Sequence, residues 1–300
     1  QKKIMSEEGF LSDAIILDVE LGKILNKSFF AGDDFGKYIK NWTAKVDRIS
    51  LEANQYLKNK YGDKIVVELN RSPRISYNIA PSYFTSFVYL AEIFEKRGLP
   101  VEVVRAAGKI EKNQKIHAIS YPGTFSWESG YKPSYPDEIL VPPVGPVPKP
   151  NSGKIEPGLY ITKTGIPGLE RLYKDAEKFG LKIYSNDTHL PGLIPNKNIK
   201  FHFARSGWSS VWLSMIAGTP LVVPDFDPKD DPEIYFNNLA VEKTGIGIIY
   251  RGQAVSEILG KLKGVKEKMA EMKAKILKTW GTLDGNYYAA KIFAADFMKH

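Results

Sequence analysis

The second half of the chain alternates between short apolar runs and amphipathic stretches. Leu159-Tyr160-Ile161-Thr162 is followed by the turn Lys163-Thr164-Gly165-Ile166-Pro167-Gly168. Leu169, Leu172, Tyr173, Ala176 and Phe179 then recur at helical steps, and Gly180 stops them. A short apolar run bounded by turn residues predicts a strand, and the three-to-four-residue recurrence predicts a helix. Lys182 to Ser185 is the next strand. A third contains Ile199, Phe201 and Phe203 and meets the small polar cluster Ser206-Gly207-Trp208-Ser209-Ser210. An apolar helix runs from there to Ala217, Gly218 ends it, and Pro220 to Pro224 is a further apolar run. Strands alternating with helices predict a parallel sheet with right-handed crossovers. Ile258, Leu262, Val265, Met269, Met272 and Ile276 line one face of a long helix, with most nearby lysines elsewhere, and Tyr287 to Met298 forms the last helix.

The first half is patterned less cleanly. Strands are predicted at Asp13–Asp18, at Ser28–Ala31 before Gly32-Asp33-Asp34, and at Ile65–Leu69. A helix is predicted from Tyr83 to Lys96, ended by Gly98 and feeding a strand at Val101–Val104. Between Lys132 and Lys154 proline recurs at positions 133, 136, 142, 143, 146, 148 and 150. That density suits neither helix nor central strand and predicts an extended linker. A boundary near Pro150 gives two domains, 1–150 and 151–300.

Composition narrows the classes. With 300 residues and 43% apolar content, the chain can bury a core of ordinary size. No run of 18 apolar residues occurs, and no secretory leader pattern opens the chain. The absence of cysteine excludes disulfides, thiolate metal sites and cysteine nucleophiles and is compatible with a cytoplasmic location. A net charge of +8 suggests an anionic partner, or lysines that serve solubility alone. No zinc finger, RNP-type motif or basic zipper is present, so nucleic acid is not expected. The basic amphipathic helix near the end has two readings: peripheral contact with an anionic membrane, or packing on the sheet with its lysines solvated.

The segment Phe201–Gly247 resembles the donor-binding domain of GT-B glycosyltransferases. The likeness is to the branch of the macrolide and UDP-glucuronosyl transferases and the peptidoglycan N-acetylglucosaminyltransferase. Gly207, Trp208, Ser210, Gly218, Pro220 and Pro224 fall in register with that family's pattern, as do Asn237, Glu242, Gly245 and Gly247. Arg205 stands where the family has histidine, and Leu213 where a ribose-binding glutamate is usual. Val144–Val147 resembles the family's interdomain link, and Arg97–Val104 resembles the end of its opening βαβ unit. The glycine-rich turn of that unit is missing, and Asn70 to Ser86 occupies its place. The first half is therefore expected to be truncated or divergent. The resemblance implies an α/β fold of two Rossmann-like domains with helices on both faces of each parallel sheet. It also implies transfer of a sugar from a nucleoside diphosphate, UDP above all, to an acceptor hydroxyl, with inversion and without a metal or other cofactor. A lipid-linked acceptor fits the positive charge. The alternatives are a sugar-nucleotide or partner-binding relative without catalysis, and a sugar-nucleotide 2-epimerase.

Such chemistry needs a seat for the diphosphate, contacts to the sugar and a base for the acceptor hydroxyl. Ser209 and Ser210 stand where a strand turns into a helix, where backbone N–H groups and the helix dipole favour an anion. Gly207 allows close backbone approach, and Thr162, Thr164 and Gly165 form the corresponding turn after the domain's first strand. Ser209 alternatively caps its helix. Arg205 either holds the diphosphate or pairs with a nearby carboxylate. Trp208 packs either between the domains or beneath the nucleotide. By the resemblance, the acidic loop Asp225, Asp227, Asp230, Asp231 and Glu233 meets the sugar, with Glu233 and Asp231 as its carboxylates and Asn237 as a donor-site residue. A metal bound by this loop, or a solvated acidic turn, are the other readings. Asp18 and Glu20 are candidate bases, as are Asp33 and Asp34. Of the four histidines, only His117 lies inside the first half, in an apparent strand, while His189, His202 and His300 follow later.

Overall fold

A computed structural model describes residues 19–28, 34–62, 68–70, 82–164, 166, 168–229 and 231–299. The predicted strand at 13–18 lies outside the described residues, as do residues 29–33, 65–67, Gly165, Asp230 and His300.

Two parallel sheets organise the chain. The first has the order β1 (Glu68–Asn70), β2 (Ser82–Ser86), β3 (Ile116–Ser120), β4 (Glu138–Val141). Around it lie α1 (Val19–Ser28), α2 (Phe35–Tyr61), α3 (Leu90–Lys96) and α4 (Val101–Lys112). Helix α2 buries Ile39, Trp42, Val46, Ile49 and Ala53, a stripe at alternating three- and four-residue steps. That stripe meets Leu21 and Leu25 of α1, Ile93 and Phe94 of α3, and Val103, Ala107 and Ile110 of α4.

Four expectations for this half are corrected. Tyr83 belongs to a strand rather than a helix, and the helix begins only at Leu90. The expected strand at Val101–Val104 is the first turn of α4. Pro100 supplies its N-cap, and contact with α2 outweighs the β-branched preference of three valines. The interval read wholly as linker contains β4, which occupies the proline-free run between Pro136 and Pro142. Ser28, expected in a strand, ends α1.

The second sheet has the order β6 (Lys182–Ser185), β5 (Gly158–Ile161), β7 (Ile199–Phe203), β8 (Leu221–Pro224), β9 (Gly247–Tyr250). All of its pairings are parallel. Its helices are α5 (Glu170–Lys178), α6 (Trp208–Ala217), α7 (Pro232–Thr244), α8 (Val255–Trp280) and α9 (Gly285–Phe297). The stripe of α8 is consumed in the core: Val255, Ile258, Leu262, Val265, Met269 and Ile276 are buried. That face is therefore not available to lie on a membrane. No helix among the described residues is long and apolar enough to cross one.

Helix α9 returns to the first sheet. Tyr83 of β2 stacks on Phe293 with ring centroids 4.8 Å apart, and its hydroxyl donates to Asp296 at 2.7 Å. Lys115 pairs with the same carboxylate at 2.6 Å. The turn into α9 requires Gly285, because a Cβ there would lie 2.0 Å from the carbonyl oxygen of Pro142. One apolar core consequently runs from Tyr83, Ala118 and Val141 of the first sheet through all of the second.

Candidate functional site

The order of the second sheet reverses between β5 and β7, so the loops after these strands diverge to opposite faces and leave a crevice at their carboxyl ends. That is where ligands bind open parallel sheets. Thr162 N–H donates to the Phe203 carbonyl at 2.8 Å, which holds the two strand ends together.

Gly207 is the N-cap of α6, and no side chain caps that helix. The alternative role for Ser209, capping, is thus not the one adopted. The Ser210 and Val211 N–H groups donate back to the Gly207 carbonyl at 2.8 and 3.2 Å. A Cβ on Gly207 would meet nothing within 4 Å, so the backbone there is open to an approaching group. Ser209 is exposed and Ser210 half-buried in the first turn. The positive end of a helix, an open backbone and two hydroxyls at one place suit an anion. Thr164 is exposed in the facing turn, and Lys163 there pairs with Asp187 at 2.7 Å.

Beneath this crevice sits His202, 1% exposed. One ring nitrogen, Nδ1, is 2.7 Å from the Ser214 hydroxyl, and Nε2 is 2.9 Å from the Thr162 hydroxyl. Burial pushes the imidazole down to about 3, so the ring is neutral at physiological pH. Sequence reasoning counted His202 without assigning it. The available signal was a polar ring among Phe201, Phe203 and Ile199 in a strand buried on both faces.

The acidic loop is organised differently from the expectation. Arg205 forms an ion pair with Asp231 and lies over the Phe226 ring at 5.2 Å. Asp231 also accepts from the Ile234 N–H at 3.2 Å and so caps α7. At 2% exposure its carboxylate is engaged by the protein itself rather than offered to a sugar. Burial raises it to about 6 against the pull of the Arg205 guanidinium and two backbone N–H groups, which leaves it ionised at neutral pH. Glu233 stands half-buried in the first turn of α7. Asp225 pairs with Arg251 at 3.1 Å, and Asp227 accepts from the Lys229 N–H at 2.8 Å.

Asn237 is fully buried. Its Oδ1 accepts from the Trp208 indole N–H at 2.9 Å and from the Thr124 hydroxyl at 2.7 Å. Trp208 Nε1 is also 3.1 Å from Thr124 Oγ1, and Trp212 Nε1 donates to the Pro122 carbonyl at 2.8 Å. The loop after β3 is thereby bonded to α6 and α7, and Trp208 takes the first of its two readings, packing between the halves. Thr124 carried no sequence signal, since its partners lie 84 and 113 residues away.

The base candidates that are described, Glu20, Asp34 and His117, lie apart in the first half. Asp18 and Asp33 lie outside the described residues. Glu20 is on α1, paired with Lys45 at 2.5 Å and Arg48 at 3.2 Å, and the bond to Lys45 leads in holding its carboxyl below the ordinary range. Asp34 is exposed at the N-cap of α2. His117 is buried in β3, stacked on Tyr135 at 4.6 Å and bonded to the Glu111 carbonyl at 2.8 Å. Among the described residues no group of three or more His, Asp or Glu side chains could hold a metal ion.

No protein-family profile and no curated protein sequence matches the chain. Solved structures do. The glycosyltransferase SnogD from Streptomyces nogalater aligns with a TM-score of 0.56 at 15% identity, over 90% of this chain and 83% of its own. Phytolacca americana UGT2, complexed with UDP-2fluoro-glucose and pterostilbene, aligns with a TM-score of 0.56 at 13% identity, over 84% and 81%. The spinosyn rhamnosyltransferase SpnG complexed with thymidine diphosphate aligns at 0.51 and 15%, over 84% and 81%. The chain has the GT-B fold. Within that fold, the crevice between β5 and β7 belongs to the second of the two Rossmann-like halves.

Proposed function

We propose that the chain transfers a sugar from a nucleoside diphosphate donor to an acceptor hydroxyl, with residues 151–300 as its donor-binding domain and 1–150 as its acceptor side. The observation that carries this reading is the N-terminus of α6. Its first-turn backbone is open above Gly207, two serines flank it, and it stands at the strand-order reversal next to Thr162.

In this reading the acceptor hydroxyl gives up its proton to a general base or to solvent as its oxygen attacks the anomeric carbon and the bond to the diphosphate breaks, with inversion. The departing charge is met by the helix dipole, the Ser209 and Ser210 hydroxyls and the turn bearing Thr162, Thr164 and Gly165. Glu233 accepts from sugar hydroxyls. Arg205 reaches the diphosphate only by sharing its guanidinium with Asp231. No bound metal is required by this arrangement. UDP is the preferred base by resemblance, and the alignment to a thymidine diphosphate complex keeps dTDP beside it. A lipid-linked acceptor at a cytoplasmic membrane face fits the charge of +8.

One observation favours a second reading. Leu213, at the ribose-binding position, packs against Tyr160, Ile194 and Ile199 in an apolar cluster, so a contact of the resembling family is replaced by core. Binding of a sugar nucleotide without transfer is consistent with that. Calorimetric titration with UDP, dTDP and GDP, followed by incubation of the matching sugar conjugate without acceptor, separates the two. Binding that weakens in a Ser210→Ala, Glu233→Gln double variant, with slow release of nucleoside diphosphate, supports the transferase. Binding with no turnover supports the second reading, and failure of all three nucleotides to bind refutes both.

A further inference from the structure

We propose that His202 is a positioning residue that fixes the Thr162 hydroxyl as a hydrogen-bond donor to a phosphoryl oxygen in the crevice. The inference rests on the diphosphate seat proposed above and gives it a polarity that the backbone alone does not set.

A neutral imidazole has one N–H and one lone pair, so the two hydroxyls it touches cannot both donate to it. In one arrangement Nδ1–H donates to Ser214 Oγ and Nε2 accepts from Thr162. The Ser214 hydroxyl proton then has no acceptor, although Ser214 is 0% exposed on the inner side of α6. The only hydrogen-bond partner of the Ser214 hydroxyl among the described residues is His202. A buried donor left unpaired is the costly outcome. In the other arrangement Ser214 O–H donates to Nδ1 and Nε2–H donates to Thr162 Oγ1. Every buried proton then has an acceptor, and the one left over is the hydroxyl proton of Thr162. That residue is half-buried at the carboxyl end of β5, where the crevice opens.

The chain Ser214 to His202 to Thr162 therefore runs outward and ends in a donor. A donor at this point suits an anion, while the reversed chain would end in an acceptor and suit a sugar hydroxyl or a cation. The ring stays neutral because it is buried against Tyr160, at 5.7 Å between centroids, and its hydrogen-bond partners among the described residues are two hydroxyls rather than a carboxylate. Such a relay does its work without touching the ligand. It fixes the hydroxyl rotor before binding, so less freedom is lost when the anion arrives.

The test has two readouts on the full chain. Long-range proton–nitrogen correlation spectra of the 15N-labelled protein report the tautomer of His202, assigned by its disappearance in His202→Gln. The Nε2–H form is expected, and the Nδ1–H form overturns the proposal without reference to any nucleotide. Titration with UDP and dTDP then compares Thr162→Ser, Thr162→Val, Ser214→Ala and the Thr162→Val, Ser214→Ala double variant. Thr162→Ser should bind as wild type, and Thr162→Val should bind about tenfold or more weakly, as expected for a lost bond to a charged group. Ser214→Ala should weaken binding severalfold alone and add nothing on the Thr162→Val background, a non-additivity that a general packing defect would not produce. Wild type that binds while Thr162→Val binds equally well overturns the positioning role and leaves the site intact. Wild type that binds neither nucleotide overturns the site and this role together.

Discussion

Asn237→Ala is the substitution that most sharply separates a ligand residue from a structural one. In the native protein Asn237 Oδ1 accepts from Thr124 and Trp208 at 2.7 and 2.9 Å, and all three side chains are at most 1% exposed. Alanine leaves the Thr124 hydroxyl buried without an acceptor, at a cost of about 1–3 kcal/mol. It also opens a void, worth about another 1 kcal/mol. Part of this is offset, because the Asn237 Nδ2 group is buried with no hydrogen-bond partner among the described residues and disappears with the side chain. The net expectation is a loss of about 2–3 kcal/mol, a fall in Tm of about 5 °C for a chain of this size. Thr124→Val is the control. It removes a hydroxyl while Trp208 still donates to Asn237, so it should cost about 1 kcal/mol. The double variant should lose less than the sum of the two. Differential scanning calorimetry with UDP titration on the same samples decides the matter. An unchanged Tm combined with lost nucleotide affinity would refute the network and return Asn237 to the donor site.

Two further outcomes follow from the buried charges. Arg205→Ala strands the Asp231 carboxylate at 3% side-chain exposure, which should cost about 3–5 kcal/mol at pH 7. Urea denaturation at pH 5 should show part of that loss recovered, because protonation relieves an unpaired buried carboxylate; an equal loss at both pH values contradicts the pair's importance. Glu111, 1% exposed, accepts from the Leu90 and Ala91 N–H groups at 2.5 and 3.2 Å, yet burial raises its carboxyl from 4.5 to about 8. A raised acid makes folding most favourable below pH 4.5, and that contribution drains away as pH climbs through 8, a change on the order of several kcal/mol. Glu111→Gln should flatten this slope in stability measured from pH 5 to 9, and an identical slope in the variant would rule Glu111 out as its source.

What the sequence disclosed follows from how local each signal is. The second half was legible because its strands and helices are bounded by residues with one conformational preference, such as Gly180, Gly218 and Gly245, all at positive φ. Arg97–Val104 was misread because its valines suit a strand, while contact with α2, some sixty residues upstream, makes them a helix. The anion-facing backbone at Gly207 was visible as a strand-to-helix turn. The partners of its side chains were not: Arg205 meets Asp231 across 26 residues, and Asn237 meets Thr124 across 113. Spacing in sequence carries no account of which buried groups must satisfy one another.

The return of α9 to the first sheet bears on how the protein is made. Tyr83 and Asp296 are bonded across 213 residues, so β2 obtains its covering helix only when Gly285–Phe297 has left the ribosome. A nascent chain that has reached Pro150 contains β1 to β4 but still exposes the face of Tyr83 that Phe293 will stack on. Covering of β2 therefore waits for α9 to be made, and this closure is a long-range step.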